Sequence, residues 1–280
     1  MSIFRLQNFF SFLLSSYCEK LADEVAIRME TGQIPGAPTN QYAVLEGREP
    51  IDTRPFEIYF ALQEFSILKQ HLSVTPQPPE KPLGIQNYHL WFESIIQLWI
   101  AVSKNKALNR VRMAMSSDEI CEGEKIVRHS TSSVDTASCI YQIKEFWRLL
   151  AWPDCNTGFH YEAQLIDSAG SAALHYSDLV HQGLIDSGYY EQQGPFRISD
   201  ELCVSVNNLE YVRRALSEFR VDEQPNQQNM RQHNTENMLE NTLIQLERTI
   251  ERIMNKISQT MQAPLQKSVF HLASDTNYVV

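Results

Sequence analysis

The chain is 280 residues long, 43% apolar, and carries a net charge of -10. That allows one large domain or two modest ones with a packed core, and it argues against a general nucleic-acid binder, whose phosphate contacts need a basic surface. With ten glycines and no long β-branched alternation, the composition leans helical. The five cysteines (Cys18, Cys121, Cys139, Cys155 and Cys203) are odd in number, widely spaced and lack a CxxC pair. Reduced thiols in a cytosolic protein fit that better than a disulfide framework or a zinc site.

In chain order, residues 3–30 read as a first helix with Phe10, Leu13, Leu14, Tyr17, Leu21 and Val25 as its apolar stripe. Gln7 and Asn8 interrupt its start and Arg5 is its one early positive charge, so it reads as a buried helix rather than a signal peptide. Gly32 and Pro35 stop it, and residues 31–54 form an exposed polar loop. A second helix runs from Phe56 to near His71, before Pro76, Pro78, Pro79 and Pro82. A third spans 87–117, with Tyr88, Trp91, Ile95, Leu98 and Val102 on one stripe and Phe92, Ile96 and Trp99 widening it. Its second half carries Lys104, Lys106, Arg110 and Arg112, positive charge that suits a helix C-terminus. An acidic linker with Asp118, Glu119, Glu122 and Glu124 follows.

The next helix, 133–152, is the one around which a bundle is expected to form. Ser133 is its expected N-cap, Val134, Ala137, Ile140, Ile143, Phe146, Trp147 and Leu150 recur at helical spacing, and Pro153 closes it. Residues 157–185 give a helix weakened at Gly170 and ended by Gly183 and Gly188. Ser199 caps a helix to Phe219 whose apolar positions are Leu202, Val206, Leu209, Val212, Leu216 and Phe219, with Asn207 and Asn208 on its polar side. Residues 220–237 read as a linker. The last long helix, 236–262, carries Leu239, Leu243, Leu246, Ile250, Ile253 and Ile257 in alternating steps of four and three, a coiled-coil-like stripe. Pro264 is expected to stop it and residues 269–272 to pack as a terminal turn. No apolar run reaches the roughly 20 residues of a membrane span. The fold class is all-α: an elongated stack of antiparallel helical bundles.

The search for chemistry finds little. There is no GxxxxGK[ST] or GxGxxG, and Cys155/His160 and Cys121/His129 lack metal-site spacing. Ser130, Thr131, Ser132 and Ser133 follow His129 without a G-x-S-x-G elbow, and read as a helix cap and solvated loop. His175, His181 and His271 read as packing or surface. No cofactor is called for. Two surface patches stand out. Asn207, Asn208, Tyr211, Arg213 and Arg214 form a candidate partner surface, set against a plain outer helix face. Lys104, Lys106, Arg110 and Arg112 form a candidate site for acidic lipid or an acidic partner, set against a solvated helix end. The stripe over 239–257 is a bundle seam or, more sharply, a helix-in-groove contact.

Several segments together resemble a known family: Trp91-Phe92 with residues 104–108, residues 127–135 leading to Trp152-Pro153-Asp154, residues 201–213, and residues 269–273. They are similar to the first Munc homology region of the Munc-thirteen family of vesicle-priming proteins, over roughly 57–280. The likeness is greatest to the branch holding the brain angiogenesis-inhibitor-associated protein and the haematopoietic paralogue. It implies a MUN-type fold similar to tethering-complex subunits. It also implies a non-enzymatic, cytoplasmic scaffold, peripheral on vesicle, endosomal or plasma membranes. Such a scaffold would bind syntaxin and other SNARE proteins, with a Rab-type small GTPase or an acidic membrane as the alternative partner and no nucleic acid. It divides the chain into an N-terminal helix and loop (1–56), the homology region (57–180) and following helices (181–280). The family's calcium- and lipid-binding β-sandwich modules have no counterpart in this sequence, and neither does an acidic calcium loop set.

Overall fold

The structure is a computed structural model that describes residues 16, 17, 19–29, 31, 41–45, 50–72, 87–121, 128–189, 198–219 and 230–275. Among these, helix is the regular structure throughout, and one isolated antiparallel bridge joins Ile120 and Ser130. The fold is all-α. The helices are α1 (residues 19–29), α2 (Gln41–Leu45), α3 (Arg54–Leu72), α4 (Glu93–Ser116), α5 (Thr131–Leu150), α6 (Cys155–Asp186), α7 (Asp200–Ser217) and α8 (Met230–Asp275), with a 3-10 turn over Tyr88–Phe92 leading into α4. They form two compact units. One comprises Met1–Val102 with Leu150–Asp154, the other Ser103–Leu149 with Cys155–Val280.

The first unit has an aromatic core. Tyr59 of α3 lies 5.4 Å from Tyr88, 5.4 Å from Phe92 and 6.1 Å from Trp152, stacked on the last at an interplanar angle of 5°. Its hydroxyl donates to the Leu150 carbonyl at 2.8 Å, and Gln63 Nε2 donates to the same oxygen at 3.0 Å. A helix's last carbonyls have no partner within the helix, so α3 caps the end of α5. Ala151 then turns left-handed with φ 42°, ahead of Pro153. The expected stripe of α1 is corrected. Tyr17 and Leu21 are exposed, and the buried face is Ala22 and Ala26, one turn apart, which a reading based on large side chains overlooks. Phe10, Leu13 and Leu14 lie outside the described residues. The loop expected over 31–54 contains α2, whose Ala43 and Val44 are buried.

In the second unit α6, α7 and α8 pack on one another. Leu165, Ala169, Ala172, Ala173 and Tyr176 of α6 are fully buried. Leu239, Leu243, Leu246 and Ile253 of α8 are buried as the expected seam, and Leu202, Leu209, Val212 and Leu216 complete the core from α7. Ser199 caps α7 as expected, accepting from Leu202 N–H.

Four expectations are corrected in this unit. Gly170 is a site of close approach rather than a weakness: a Cβ there would lie 3.2 Å from Thr242 Cγ2 of α8. Pro264 does not end α8, which runs on to Asp275. Proline removes one N–H and crowds the preceding turn, which disturbs the ladder without removing the helix beyond it. The expected start at 236 is late by six residues, since the helix begins at Met230, and residues 269–272 make no terminal turn. Val269, Phe270 and Leu272 are 64%, 78% and 68% exposed on continuing helix.

Candidate interaction surface

The start of α5 organises the site, by a different route from the one the sequence suggests. Ser133 is not the N-cap. It lies inside the helix, fully buried, and its hydroxyl donates to the Ser130 carbonyl at 2.8 Å. The free N–H groups of the first turn are met instead from residues 118–121. Asp118 Oδ1 accepts from Ser132 N–H at 2.8 Å, the Glu119 carbonyl accepts from Thr131 N–H at 2.8 Å, and Cys121 N–H donates to the His129 carbonyl at 2.8 Å. An anionic acceptor at a helix N-terminus is favourable.

Of the hydroxyl cluster, Thr131 is exposed, but the three serines are not solvated. Ser130, Ser132, Ser133 and Thr136 are 2%, 0%, 0% and 0% exposed. Ser130 N–H donates to Asn208 Oδ1 at 2.9 Å and Asn208 Nδ2 donates to Ser130 Oγ at 2.7 Å. Ser130 Oγ lies 3.1 Å from Ser132 Oγ, which lies 3.0 Å from the Tyr176 hydroxyl. One buried chain of hydrogen bonds thus ties α7, the head of α5 and α6. Burial of such groups is tolerated because each has a partner. Burial pushes the Tyr176 phenol up to about 12, so it remains neutral.

This layer fixes the surface above it. Asn207, next to the buried Asn208, donates to the Arg128 carbonyl at 3.1 Å, and Arg128 reaches Asp200 at 3.7 Å. The His129 ring lies 4.7 Å from that of Tyr211. Tyr141 of α5 donates to Glu218 Oε2 at 2.9 Å, and Lys144 Nζ donates to the Glu218 carbonyl. Burial and the Glu218 carboxylate push Tyr141 up to about 12. Glu210 accepts from Arg213 at 2.7 and 2.9 Å and from Arg214 at 2.7 Å, and the Arg213 bond holds its carboxyl below the usual range.

Of the predicted partner residues, Asn207, Tyr211 and Arg214 therefore come together on one side of α7, Arg213 lies nearly opposite Tyr211, toward Glu240 and Glu247 of α8, and Asn208 turns into the core. Sequence reasoning left out Arg128, His129, Tyr141, Lys144 and Glu218, which complete the patch. The segment Arg128-His129 directly before the hydroxyl run was the available signal. The arginines here are already paired with carboxylates, and the patch offers aromatic edges and hydrogen-bonding groups suited to recognition.

The basic residues of α4 are spread around their helix. Lys104 pairs with Asp167 of α6 at 2.6 Å. Arg110 reaches Gln142 at 2.9 Å and Asp135 at 3.4 Å on α5, and Arg112 donates to Asn109 at 2.9 Å. Lys106 is exposed. Among the described residues, no three His, Cys, Asp or Glu side chains are grouped to hold a metal, and no helix is long and apolar enough to cross a membrane.

The sequence profile of the MUN domain matches residues 47–277, most of the chain. The chain belongs to the MUN-domain family. It is 27% identical to protein unc-13 homolog 4B of Drosophila melanogaster over 217 residues, 76% of this chain and 18% of that protein. It is 30% identical to human protein unc-13 homolog D over 166 residues (59% and 15%) and to mouse BAI1-associated protein 3 over 162 residues (57% and 13%). The chain thus spans less than a fifth of each of these relatives' length. The MUN match takes in α3 to α8 and, with them, the whole α5–α7 patch.

Proposed function

We propose that this MUN-family chain acts in regulated exocytosis and vesicle trafficking as a non-enzymatic scaffold, promoting vesicle tethering or priming and SNARE assembly through protein contacts. The observation that supports this reading is the MUN-domain match along residues 47–277. The working surface in this reading is the α5–α7 patch, with Tyr211, Asn207, His129 and Arg214 receiving a syntaxin helix. A scaffold of this kind binds one arrangement of its partner better than another, and that difference in affinity is what shifts the partner toward assembly. A helix laid along an outer face is an established way to gain such contacts. The protein then works on the cytoplasmic side, peripheral on vesicle, endosomal or plasma membranes.

The alternative partner, a Rab-type GTPase or acidic membrane at Lys104, Lys106, Arg110 and Arg112, has less support. Asp167 and Asp135 already face Lys104 and Arg110, which reduces the positive charge on offer. The test is a pull-down of the chain against syntaxin and the assembled SNARE complex, with circular dichroism on the same sample. Binding lost in Tyr211→Ala/Arg214→Glu with helicity intact is the expected result. Binding that survives this change but fails on charge reversal of Lys104, Lys106 and Arg110 moves the site to α4. Absence of binding by a helical chain removes the SNARE reading.

A further inference from the structure

The distal part of α8 does not match the bundle it leaves. Leu239, Leu243, Leu246 and Ile253 of the seam are buried, and Ile250 and Ile257 are half-buried. Beyond Ile257 every residue from Met261 to Ser274 is exposed. A second apolar stripe, turned roughly 70° from the seam, is present nonetheless: Met254, Met261, Leu265, Val269 and Leu272 are 47%, 37%, 56%, 64% and 68% exposed. At 3.6 residues per turn they fall in one stripe about 80° wide. Phe270, also exposed, lies off this stripe.

The charge pattern of the same segment is one-sided. Between Arg252 and Ser274 the sequence holds Arg252, Lys256 and Lys267 and no acidic residue, in a chain whose net charge is -10. Helical spacing places these three cations on the face opposite the apolar stripe. The other residues of the segment are Ser, Thr, Gln, Asn, Ala and His271, with Ile253, Ile257 and Pro264 on one flank and the exposed Phe270 beside the cations. An amphipathic helix with a Lys/Arg polar face and an uncovered Leu/Val/Met face is the pattern of an interfacial helix. A soluble bundle helix more often mixes both signs on its outer face.

We infer that residues 252–274 of α8 form an interfacial segment that lies in the plane of an anionic lipid surface. The stripe Met261, Leu265, Val269 and Leu272 enters the boundary between headgroups and acyl chains. Arg252, Lys256 and Lys267 reach anionic headgroups, their long stems bending toward the surface. The acid-free segment gives an otherwise acidic chain a place where such a surface attracts it. The segment is roughly 35 Å long, at 1.5 Å per residue. This inference lies outside the α5–α7 patch and does not depend on the SNARE reading.

The test is co-sedimentation of the full chain with phosphatidylcholine vesicles, with and without phosphatidylserine, at low and high salt. Circular dichroism and the solution mass are measured alongside. Two variants are compared: Leu265→Asp/Val269→Asp, which breaks the stripe, and Arg252→Gln/Lys256→Gln/Lys267→Gln, which leaves the apolar stripe whole. The expected result is binding to the phosphatidylserine vesicles that falls with salt. It should fall by roughly a hundredfold in the charge variant at low salt, at about fivefold per cation, and be lost in the stripe variant. Failure to bind phosphatidylserine vesicles at low salt overturns the inference. So does binding unchanged in both folded variants, which would place the lipid contact elsewhere. So too does a dimer in solution that the stripe variant dissolves, which would make the stripe a contact between copies.

Discussion

At the scale of single residues, the buried hydrogen-bond chain Asn208–Ser130–Ser132–Tyr176 decides how α7 meets the head of α5. Asn208→Leu leaves the buried Ser130 amide without its partner, while the Ser130 hydroxyl keeps Ser132. A buried group stripped of its partner costs about 1–3 kcal/mol, and urea unfolding followed by circular dichroism should show a loss in that range. Ser205→Ala, on the exposed part of the same helix, should stay within about 0.5 kcal/mol of the parent. Glu162 of α6 makes a second case. It is 7% exposed, its Oε1 meets no hydrogen-bond partner among the described residues, and burial pushes its carboxyl up to about 7. The unfolded chain titrates the same group near its ordinary value of 4.5. Between these values the unfolded state sheds a proton that the folded state keeps, so stability is full below about pH 4.5 and falls as pH rises to about 7. The loss is on the order of 3 kcal/mol at most. Glu162→Gln lacks this titration, so the stability difference between variant and parent should widen in the variant's favour from pH 4.5 to 7 and then level off. Parallel pH profiles for the two proteins would contradict the assignment.

At the scale of elements, helical period located α3, α4, α5, α6, α7 and the seam of α8, because an amphipathic helix repeats its apolar positions whatever its neighbours are. What period could not reveal was the environment of small and polar residues. Ser130 and Ser132 look like part of a solvated turn until Asn208 and Tyr176, 78 and 44 residues away, are brought to them. Gly170 looks like a weak point until Thr242 of α8 is placed against it. The site was legible to the same degree: the exposed side of α7 was marked by its polar residues, and its complement from Arg128, His129, Tyr141 and Glu218 arises only on folding. Helix α8 allows the difference between a covered and an uncovered apolar stripe to be measured. Leu243 is 6% exposed and Leu265 is 56% exposed on the same helix. Leu243→Ala should cost about 2–5 kcal/mol through lost burial and a cavity. Leu265→Ala should change stability by less than about 0.5 kcal/mol, since its methyls are already in water and alanine favours helix. Equal losses at the two positions, read from urea midpoints, would mean that the distal stripe is covered in solution.

At the scale of the molecule, each of the two units carries its own core: aromatic around Tyr59 in the first, aliphatic around α6 and α8 in the second. A unit with its own core can open without the other, and a chain built this way is not bound to unfold in one step. The tryptophans make this measurable. Trp91, Trp99 and Trp152 belong to the first unit and Trp147 to the second. In Trp147→Phe, tryptophan emission therefore reports the first unit alone, while the far-ultraviolet dichroism is dominated by the long helices α5 to α8 of the second. The two signals should give different urea midpoints. Adding Leu243→Ala, which strikes only the second core, should lower the dichroism midpoint and leave the emission midpoint in place. If both midpoints fall together, the units unfold as a single cooperative body and the stability of either includes the other. Separate movement carries a consequence for binding, because the α5–α7 patch and the distal α8 segment both lie in the second unit. Their integrity would then follow the aliphatic core, and a variant of Tyr59 or Trp152 should weaken the first unit while leaving both surfaces competent.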